Sequence, residues 1–446
     1  MNKVKKESDN YLRYLILLFL VTTSFLPFSN VISWGSDYAG YILQAKAIHN
    51  FDTQEFINTQ NFLINLSENP KYPIYTPIGM PLLISVSSFL TKFDMYLVRI
   101  IIPISVFFVS LIIYKKNKRY PFLYSLIFVL HPTIIAQYKD AILTESLATM
   151  FFLIGLLNKN NKLKLCFFLF SILIRPSFVI FVICDIIFEQ KKVIKNLLLT
   201  FLSLILINVL TRSIFNMNFY GLYDTRLSDN ETFGIVAILV DNIKTILSFE
   251  KILLLINELA RLFIGFTTNI NFVIGIFLIG FLIYIRNKYS LMIIIFSMFH
   301  LIWETPSLVR YFIPLLAISF FAFDDFLEIR KIKNNDIIKY FFVLIIAFNL
   351  VQLNNSINIL ENQTGPHQQE SKEMLDFVTN SQNENIFSFH SPRTLRLLTN
   401  KNSYWLDGDI HKDTVIICYL KESDCKVNEN YKIIFKNNLY VISDNE

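Results

Sequence analysis

Long apolar segments recur along most of this chain, and they constrain its fold more than any other feature. An α-helix needs roughly 20 apolar residues to cross a hydrocarbon layer about 30 Å thick, and backbone polar groups in lipid must be satisfied within the helix. The sequence therefore predicts an all-α polytopic membrane protein with about 10–12 transmembrane helices. The candidate spans are Tyr11–Phe28, Tyr96–Tyr114, Pro121–Gln137, Ala141–Leu157, Leu165–Phe188, Leu197–Ile214, Phe272–Ile285, Leu291–Trp303, Tyr311–Phe326 and Ile337–Val351.

The positive net charge, formally +6, follows from membrane topology and gives no support to nucleic-acid binding. Cytoplasmic loops carry an excess of Lys and Arg. If the N-terminus is cytoplasmic, alternation of the spans makes every short basic cluster cytoplasmic too. These clusters are Lys115–Arg119, Lys159–Lys164, Arg286–Lys288 and Arg330–Lys333. The sequence predicts a multi-pass protein of the cytoplasmic membrane with a cytoplasmic N-terminus.

One apolar segment, Leu165–Phe188, breaks the alternation because lysines flank both of its ends. Both ends are then cytoplasmic, so the segment enters the membrane and returns. Arg175–Pro176 lies at its midpoint, and proline removes a backbone donor and disfavours helix in the residue before it. Two short helices joined at this point would hold a cation at membrane depth. The alternative is a single kinked helix whose arginine reaches the interface.

Three regions are predicted outside the cytoplasm: a first loop 29–95 with interfacial helices, a second loop 215–271, and the tail from residue 352. Residues 233–266 contain either no spans or two; interrupting charges favour interfacial amphipathic helices. The domains are thus a transmembrane domain, 1–351, and an extracytoplasmic domain, 352–446.

The tail reads as a small α/β domain. Helical patterns at Glu370–Val378 and Thr394–Leu398 alternate with strand patterns at Asn385–His390 and Thr414–Leu420, and a hairpin, Tyr431–Ser443, follows. Two of the four cysteines, Cys418 and Cys425, lie in this domain. They form either a disulfide, as an oxidising compartment allows, or two free thiols.

Polar residues that suit chemistry are grouped on the predicted outer side. Each also has a structural interpretation: Asp37 as a helix cap, Glu145 as a favourable charge at a helix N-terminus, and the cations as interface anchors. Carboxylates can also act as general bases, and cations can hold a phosphate leaving group. The residues are Asp37, Lys71, Tyr75, Lys139, Asp140, Glu145, Arg175, Arg310 and Tyr311.

Several motifs occur in the order seen in one family of membrane enzymes. Asp37 follows the first span, and after it come KYPIYTPIGMPLL (71–83), HPTIIAQYKDAILTESLATMFFLIGLL (131–157), LIRPSFVIF (173–181) and RYFIPLLAI (310–318). The tail segment 372–405 fits as well. The chain resembles polytopic GT-C glycosyltransferases, in particular the bacterial protein O-mannosyltransferase-like and aminoarabinose-transferase-like group.

The resemblance implies transfer of a sugar from a polyprenyl-phosphate donor, by a single inverting displacement, to a lipid, glycan or protein acceptor on the outer face of the membrane. It makes Asp37 the catalytic carboxylate of the first loop, which acts as a base or orients the acceptor hydroxyl. Glu145 matches the second acidic residue, with Asp140 as the competing match. Lys71, Tyr75, Lys139, Arg175, Arg310 and Tyr311 would bind the substrate. No cofactor and no nucleic-acid partner is implied, and a divalent cation stays open because two carboxylates can ligate one.

A flippase or other transporter of lipid-linked sugars is the alternative function. Such a protein is also polytopic, but it places polar residues near the bilayer midplane and has related halves. The carboxylates of this chain group at one interface instead, and no half is repeated.

Overall fold

The computed structural model describes most of the chain. The described residues are 2–27, 34, 37–52, 55, 77–140, 144–188, 193–215, 249–264, 271–301, 313–332, 336–361, 365–383, 385–388, 392–405, 414–419 and 432–445.

Helices make up the first three quarters of the described structure. In chain order they are α1 Asn2–Phe25, α2 Asp37–His49, α3 Gly79–Val86, α4 Ser88–Thr91, α5 Met95–Val98, α6 Ile101–Lys116, α7 Pro121–Val129, α8 Pro132–Asp140, α9 Thr144–Leu157, α10 Asn161–Ile174, α11 Val179–Phe188, α12 Val193–Phe215, α13 Phe249–Ile264, α14 Asn271–Ile285, α15 Lys288–Leu301, α16 Ile313–Ile329 and α17 Asp336–Glu361.

The helices carry apolar side chains on their outer surfaces as well as inside. Along α12, for example, Leu198, Phe201, Leu202, Ile205 and Val209 are all exposed. Water would make such a surface unfavourable, whereas lipid tails solvate it. Among the described residues, one helical stretch, Met95–Lys116, has both the length and the apolar composition to cross a bilayer, and several others are apolar but shorter. The predicted all-α polytopic membrane fold is confirmed.

The chain reverses within segment 165–188, as predicted. Helix α10 ends at Ile174, Arg175 adopts an extended backbone, and a short 3₁₀ turn, Pro176–Phe178, leads into α11. Near the far ends of the two helices, the Lys164 ammonium lies 2.5 Å from the Asp185 carboxylate. Because residues on either side of the break meet in this way, the chain reverses at Arg175–Pro176.

A third helix end, which carries a second lysine, joins this pair. Lys288 Nζ, at the start of α15, lies 3.0 Å from Asp185 Oδ1. Asp185 is fully buried, and Lys164 is nearly so. One buried carboxylate therefore ties together three helix ends on the side predicted to be cytoplasmic.

The span predicted at Pro121–Gln137 is wrong as a single helix. The chain breaks between α7 and α8, where Pro132 begins the second helix and His131 is buried before it. Proline cannot donate the backbone hydrogen bond that a continuous helix needs. His131 Nδ1 instead accepts from the Thr133 backbone N–H, at 3.2 Å.

Phenylalanine rings fill much of the helical core. Phe152 packs against Phe168, Phe178 and Phe181, and Phe181 stacks on Phe296 with ring centroids 4.1 Å apart. Gly155 of α9 allows α10 to approach closely, since a Cβ there would lie 2.7 Å from the Phe168 ring. These contacts connect the hairpin to α9 and α15.

Helix α17 continues to Glu361. The change in composition at Val351, where the sequence suggests a domain boundary, therefore falls inside a helix.

The C-terminal residues form the small α/β unit expected from the sequence. Helices α18 Gln369–Asn380 and α19 Pro392–Thr399 accompany a sheet of β1 Asn385–Ser388, β2 Asn402–Trp405, β3 Thr414–Tyr419, β4 Lys432–Lys436 and β5 Tyr440–Asn445. The strand order is β2-β1-β3-β5-β4, with β1 parallel to β2 and β3 and the remaining pairs antiparallel. Strand β2 was not expected, because at four residues it is too short to show a clear period.

Asn437 closes the β4–β5 hairpin. Its Oδ1 accepts hydrogen bonds from the backbone N–H groups of Leu439 and Tyr440. Cys418 on β3 is disulfide-bonded, and its predicted partner, Cys425, lies outside the described residues, so the pairing stays a prediction.

Candidate active site

Arg175 lies at the break between α10 and the 3₁₀ turn, with about one fifth of its side chain exposed (22%). A guanidinium is always charged and binds carboxylates and phosphates through its planar N–H groups. Its extended backbone follows from Pro176, because the residue before a proline avoids the helical region. The sequence Ile174–Arg175–Pro176 thus interrupts the helix and holds a cation at the interruption.

Glu145 is the partner of this cation. Its side chain is 1% exposed, and Oε1 lies 3.0 Å from Arg175 Nη1. Oε2 accepts a hydrogen bond of 2.7 Å from the Thr144 hydroxyl. Thr144 in turn accepts from Arg175 Nη1 at 3.3 Å. The three side chains form one small network in which both carboxylate oxygens are occupied.

The first turn of α9 also contacts α8. The Ser146 hydroxyl donates a 2.6 Å hydrogen bond to Gln137 Oε1, and both residues are buried. Lys139 and Asp140 lie on the last turn of α8, just after Gln137. Their backbones are therefore near Glu145 and Arg175, while their side chains lie outside the described part of the structure.

A second arginine, Arg99, follows α5 in the chain and packs against the C-terminal end of α8. It is 1% exposed, and its Nη2 donates to the Tyr138 carbonyl oxygen at 2.7 Å. A cation is favourable there because the C-terminal carbonyls of a helix carry partial negative charge. The Tyr138 hydroxyl donates to the Ser24 carbonyl of α1. Arg99 thus fixes the end of α8 beside α1.

Asp37 is the first residue of α2, and its side chain is not described. The next residue, Tyr38, is fully buried and lies within the electrostatic influence of Arg99. The Arg99 charge acts on Tyr38, Arg99 binds the last turn of α8, and Gln137 of that helix accepts from Ser146, the residue after Glu145.

Helix α3 connects the same two regions from another direction. It packs against α2 and also against α10. A Cβ at Gly79 would lie 2.6 Å from the Leu173 carbonyl carbon and 2.7 Å from the Ile174 nitrogen. Only glycine fits this contact without a backbone shift. The N-terminus of α3 therefore touches the residues that directly precede Arg175.

The structure thus pairs Arg175 with Glu145, and α3 and α8 connect these two residues with α2, the helix that begins at Asp37. The backbone of Lys139 and Asp140 forms the last turn of α8. Lys71, Tyr75, Arg310 and Tyr311 lie outside the described residues, so their substrate-binding roles stay predictions. The catalytic and substrate-binding roles of Asp37, Lys139, Asp140, Glu145 and Arg175 stay predictions as well.

Two comparisons with known proteins found no relatives: no family model matches this sequence, and no curated protein matches it. Solved structures do match. ArnT from Cupriavidus metallidurans in the apo state is 10% identical, with a TM-score of 0.56 and coverage of 98% of each chain. ArnT from the same organism bound to undecaprenyl phosphate is 11% identical, with a TM-score of 0.55 and the same coverage.

The chain has the fold of ArnT. At this level of identity the likeness concerns the fold alone, and it extends over the helical bundle and the C-terminal unit together. The GT-C-like architecture that the sequence motifs suggested is therefore confirmed.

Within this ArnT-like fold, several residues of the site were missed by sequence reasoning. Arg99 lies inside the predicted span Tyr96–Tyr114, and a charge inside an apolar span is a recognisable signal of function. Thr144, Gln137 and Ser146 gave no such signal, since hydroxyl and amide side chains are common at helix ends.

Chemically, the arrangement offers a fixed cation whose counter-charge is buried. The guanidinium keeps partial exposure while its carboxylate partner does not, so the cation is the group that a ligand can reach. Among the described residues, three or more His, Cys, Asp or Glu side chains nowhere cluster in a way suited to a metal ion.

Proposed function

We propose that this protein is a membrane glycosyltransferase that moves a sugar from a polyprenyl-phosphate donor to an acceptor hydroxyl on the outer face of the cytoplasmic membrane. The observation that carries the proposal is Arg175, a partly exposed cation held by buried Glu145 at a helix break inside an ArnT-like fold. A protein with this fold was crystallised with undecaprenyl phosphate, which supports a polyprenyl phosphate as the donor's carrier.

In the proposed reaction, the acceptor oxygen attacks the anomeric carbon as the bond from that carbon to the phosphate oxygen breaks. The electron pair of the broken bond leaves with the phosphate, and Arg175 stabilises the negative charge that develops there. Asp37 accepts the proton of the acceptor hydroxyl, a contribution of about 10²–10⁴-fold in rate. The displacement is single and inverts the anomeric centre.

Glu145 fits a positioning role better than the role of base. Its carboxylate is buried, with one oxygen facing Arg175 and the other hydrogen-bonded to Thr144. This carboxylate is 1% exposed and both of its oxygens face protein partners, so it is less accessible to an acceptor hydroxyl, whereas it does orient the guanidinium. Asp140 is the remaining candidate for a second acid, at the end of α8.

Lys71, Tyr75, Lys139, Arg310 and Tyr311 complete the proposed substrate site. The acceptor is a lipid, a glycan or a protein. The disulfide at Cys418 supports an extracytoplasmic C-terminal unit, because disulfides persist in oxidising compartments.

The test supplies a synthetic polyprenyl-phosphate sugar to the purified protein in detergent, with water or an added alcohol to receive the sugar, and measures the release of free polyprenyl phosphate. We expect Asp37→Asn to lower kcat at least about 100-fold. Glu145→Gln should mainly raise the KM for the donor, because it frees the cation from its fixed position. Asp336→Asn is the matched control, since Asp336 is an exposed acid that pairs with Lys339 on its own helix.

Full activity of the Asp37→Asn variant would contradict the assignment of the base. In liposomes, movement of the intact lipid across the bilayer by wild-type protein, with no cleavage of the sugar–phosphate bond, would instead support the flippase.

A further inference from the structure

The C-terminal unit contacts the first outer loop around the helix that begins with Asp37. Trp34, three residues before Asp37, is nearly buried in the core of the C-terminal unit with Met374, Leu395 and Tyr440. Its indole Nε1 donates to the Tyr440 hydroxyl at 3.1 Å. Because a residue extends a chain by at most about 3.6 Å, Asp37 is held within about 11 Å of this anchor.

Helix α19 contacts residues that come before and after Asp37 in the sequence. The Thr394 hydroxyl donates to the Trp34 carbonyl at 3.4 Å, and Arg396 pairs with Glu55, beyond the end of α2, at 2.8 Å. Leu395 points into the C-terminal core, while Leu397 packs against the helical core. Helix α19 is therefore wedged between the two parts of the molecule, against α2.

Arg393 is the residue of α19 that lies against the first turn of α2. A Cβ at Gly40 would lie 3.1 Å from Arg393 Cδ and 3.6 Å from both Nε and Nη1. The absence of a side chain at Gly40 thus lets the guanidinium approach the helix. Positions 37 and 40 are one turn apart, and residues with this spacing are neighbours on one face of a helix.

We propose that Arg393 is a positioning residue for Asp37, supplied by the C-terminal unit. Its positive charge, next to the face that carries position 37, favours the ionised carboxylate that a general base needs. The C-terminal unit thereby becomes a part of the active site. This inference rests on the proposed function, because it assigns Asp37 the role of base.

Several other charged or titratable groups lie near the first turn of α2. Arg99, Tyr96 and Asp94 act electrostatically on Tyr38, and Arg396 lies one turn further along α19. Helix α3, which also packs against α2, has no ionisable side chain. All of these groups stay unchanged in the Arg393 variants.

The experiment measures kcat and KM against pH with the polyprenyl-phosphate sugar for wild type, Arg393→Gln, Arg393→Lys and Gly40→Ala. Loss of a nearby cation raises the pKa of a carboxylate, so the acid limb of kcat should move to higher pH in Arg393→Gln by about 1 pH unit. On that limb kcat falls about tenfold, since each pH unit changes the ionised fraction tenfold. The value of kcat on the high-pH plateau and the KM for the donor should each change by less than about threefold.

Arg393→Lys should restore most of the wild-type profile because it keeps the charge. Gly40→Ala, which displaces the guanidinium without removing it, should shift the limb in the same direction by a smaller amount. Arg396→Gln is the matched control: it removes the same charge from the same helix and should leave the limb unmoved.

An acid limb in Arg393→Gln identical to that of wild type, with Asp37→Asn inactive, would overturn this inference and leave the proposed function intact. A limb shifted equally in Arg396→Gln would also overturn it, because the effect would then be one of general charge. Absence of transfer by the wild-type protein would overturn the proposed function and this inference together.

Discussion

Arg175 Nη1 lies 3.0 Å from Glu145 Oε1, at a helix break and a helix start that are about 30 residues apart in sequence. Breaking a buried pair by removing one partner leaves a charge without its counter-charge, which costs more than the pair contributes. A double-mutant cycle on Glu145 and Arg175 therefore distinguishes the effect of this pair on stability from its effect on activity.

The first prediction concerns this cycle. Glu145→Gln should lower the free energy of unfolding by about 1–3 kcal/mol, since the guanidinium loses its charged acceptor. Adding Arg175→Met should recover part of that loss in stability, because the cation that lost its partner is then gone, while activity falls further because the phosphate loses its cation. Thermal unfolding in detergent, together with the transfer assay, measures both. Additive losses in the double variant would contradict the coupling.

The second prediction concerns the contact between α3 and α10. Gly79→Ala places a methyl group 2.6–2.8 Å from backbone atoms of Leu173 and Ile174, and backbone cannot move aside as a side chain can. We expect a loss of about 1–3 kcal/mol, and a fall in kcat because Arg175 directly follows this contact.

Gly280→Ala is its control, since a Cβ there meets no atom within 4 Å. Alanine in an open helical position should be neutral or stabilising by up to about 1 kcal/mol. Equal losses in the two variants would show that the close approach at Gly79 has no special role.

The sequence was sufficient for features that depend on local chemistry. Pro176, with lysines at both ends of its segment, predicted the hairpin correctly, because proline and charge act on the residues beside them. The same rule applied to Pro132 would have predicted the break before α8, but the apolar run around it hid the signal. The hairpin at Asn437 was also visible as a turn.

What the sequence left out are contacts between residues far apart in the chain. Trp34 lies in the core of a unit that begins more than 300 residues later, as its hydrogen bond to Tyr440 shows. Gly40 and Gly79 are ordinary in sequence, and the need for glycine appears only when Arg393 and α10 approach. Such pairings come from tertiary packing, which neither propensity nor periodicity encodes.

The third prediction concerns the buried carboxylate on the opposite side of the bundle. Asp185→Asn would remove the buried carboxylate that Lys164 and Lys288 share, so we expect a loss of about 3–5 kcal/mol. Lys288→Met should cost less, because Lys288 is 31% exposed and Lys164 still pairs with Asp185.

Asp336→Asn again gives the comparison, as its exposed pair with Lys339 should contribute less than about 1 kcal/mol. Thermal unfolding of the three variants provides the ranking. A loss in Lys288→Met as large as that in Asp185→Asn would contradict the view that the carboxylate holds the cluster together.

The fourth prediction concerns Trp34, which anchors the loop before α2 in the C-terminal unit. The Tyr440 hydroxyl lies 3.1 Å from both Trp34 Nε1 and the Ser371 hydroxyl, so Tyr440→Phe removes a group that both use while keeping the ring. We expect the free energy of unfolding of the C-terminal unit to fall by about 1–2 kcal/mol, and the first outer loop to be cut faster by protease. Tyr340→Phe should change neither quantity, because Tyr340 is 72% exposed on α17. If Tyr440→Phe left the rate of loop cleavage unchanged, Trp34 would be packed in the C-terminal core without depending on this hydrogen bond.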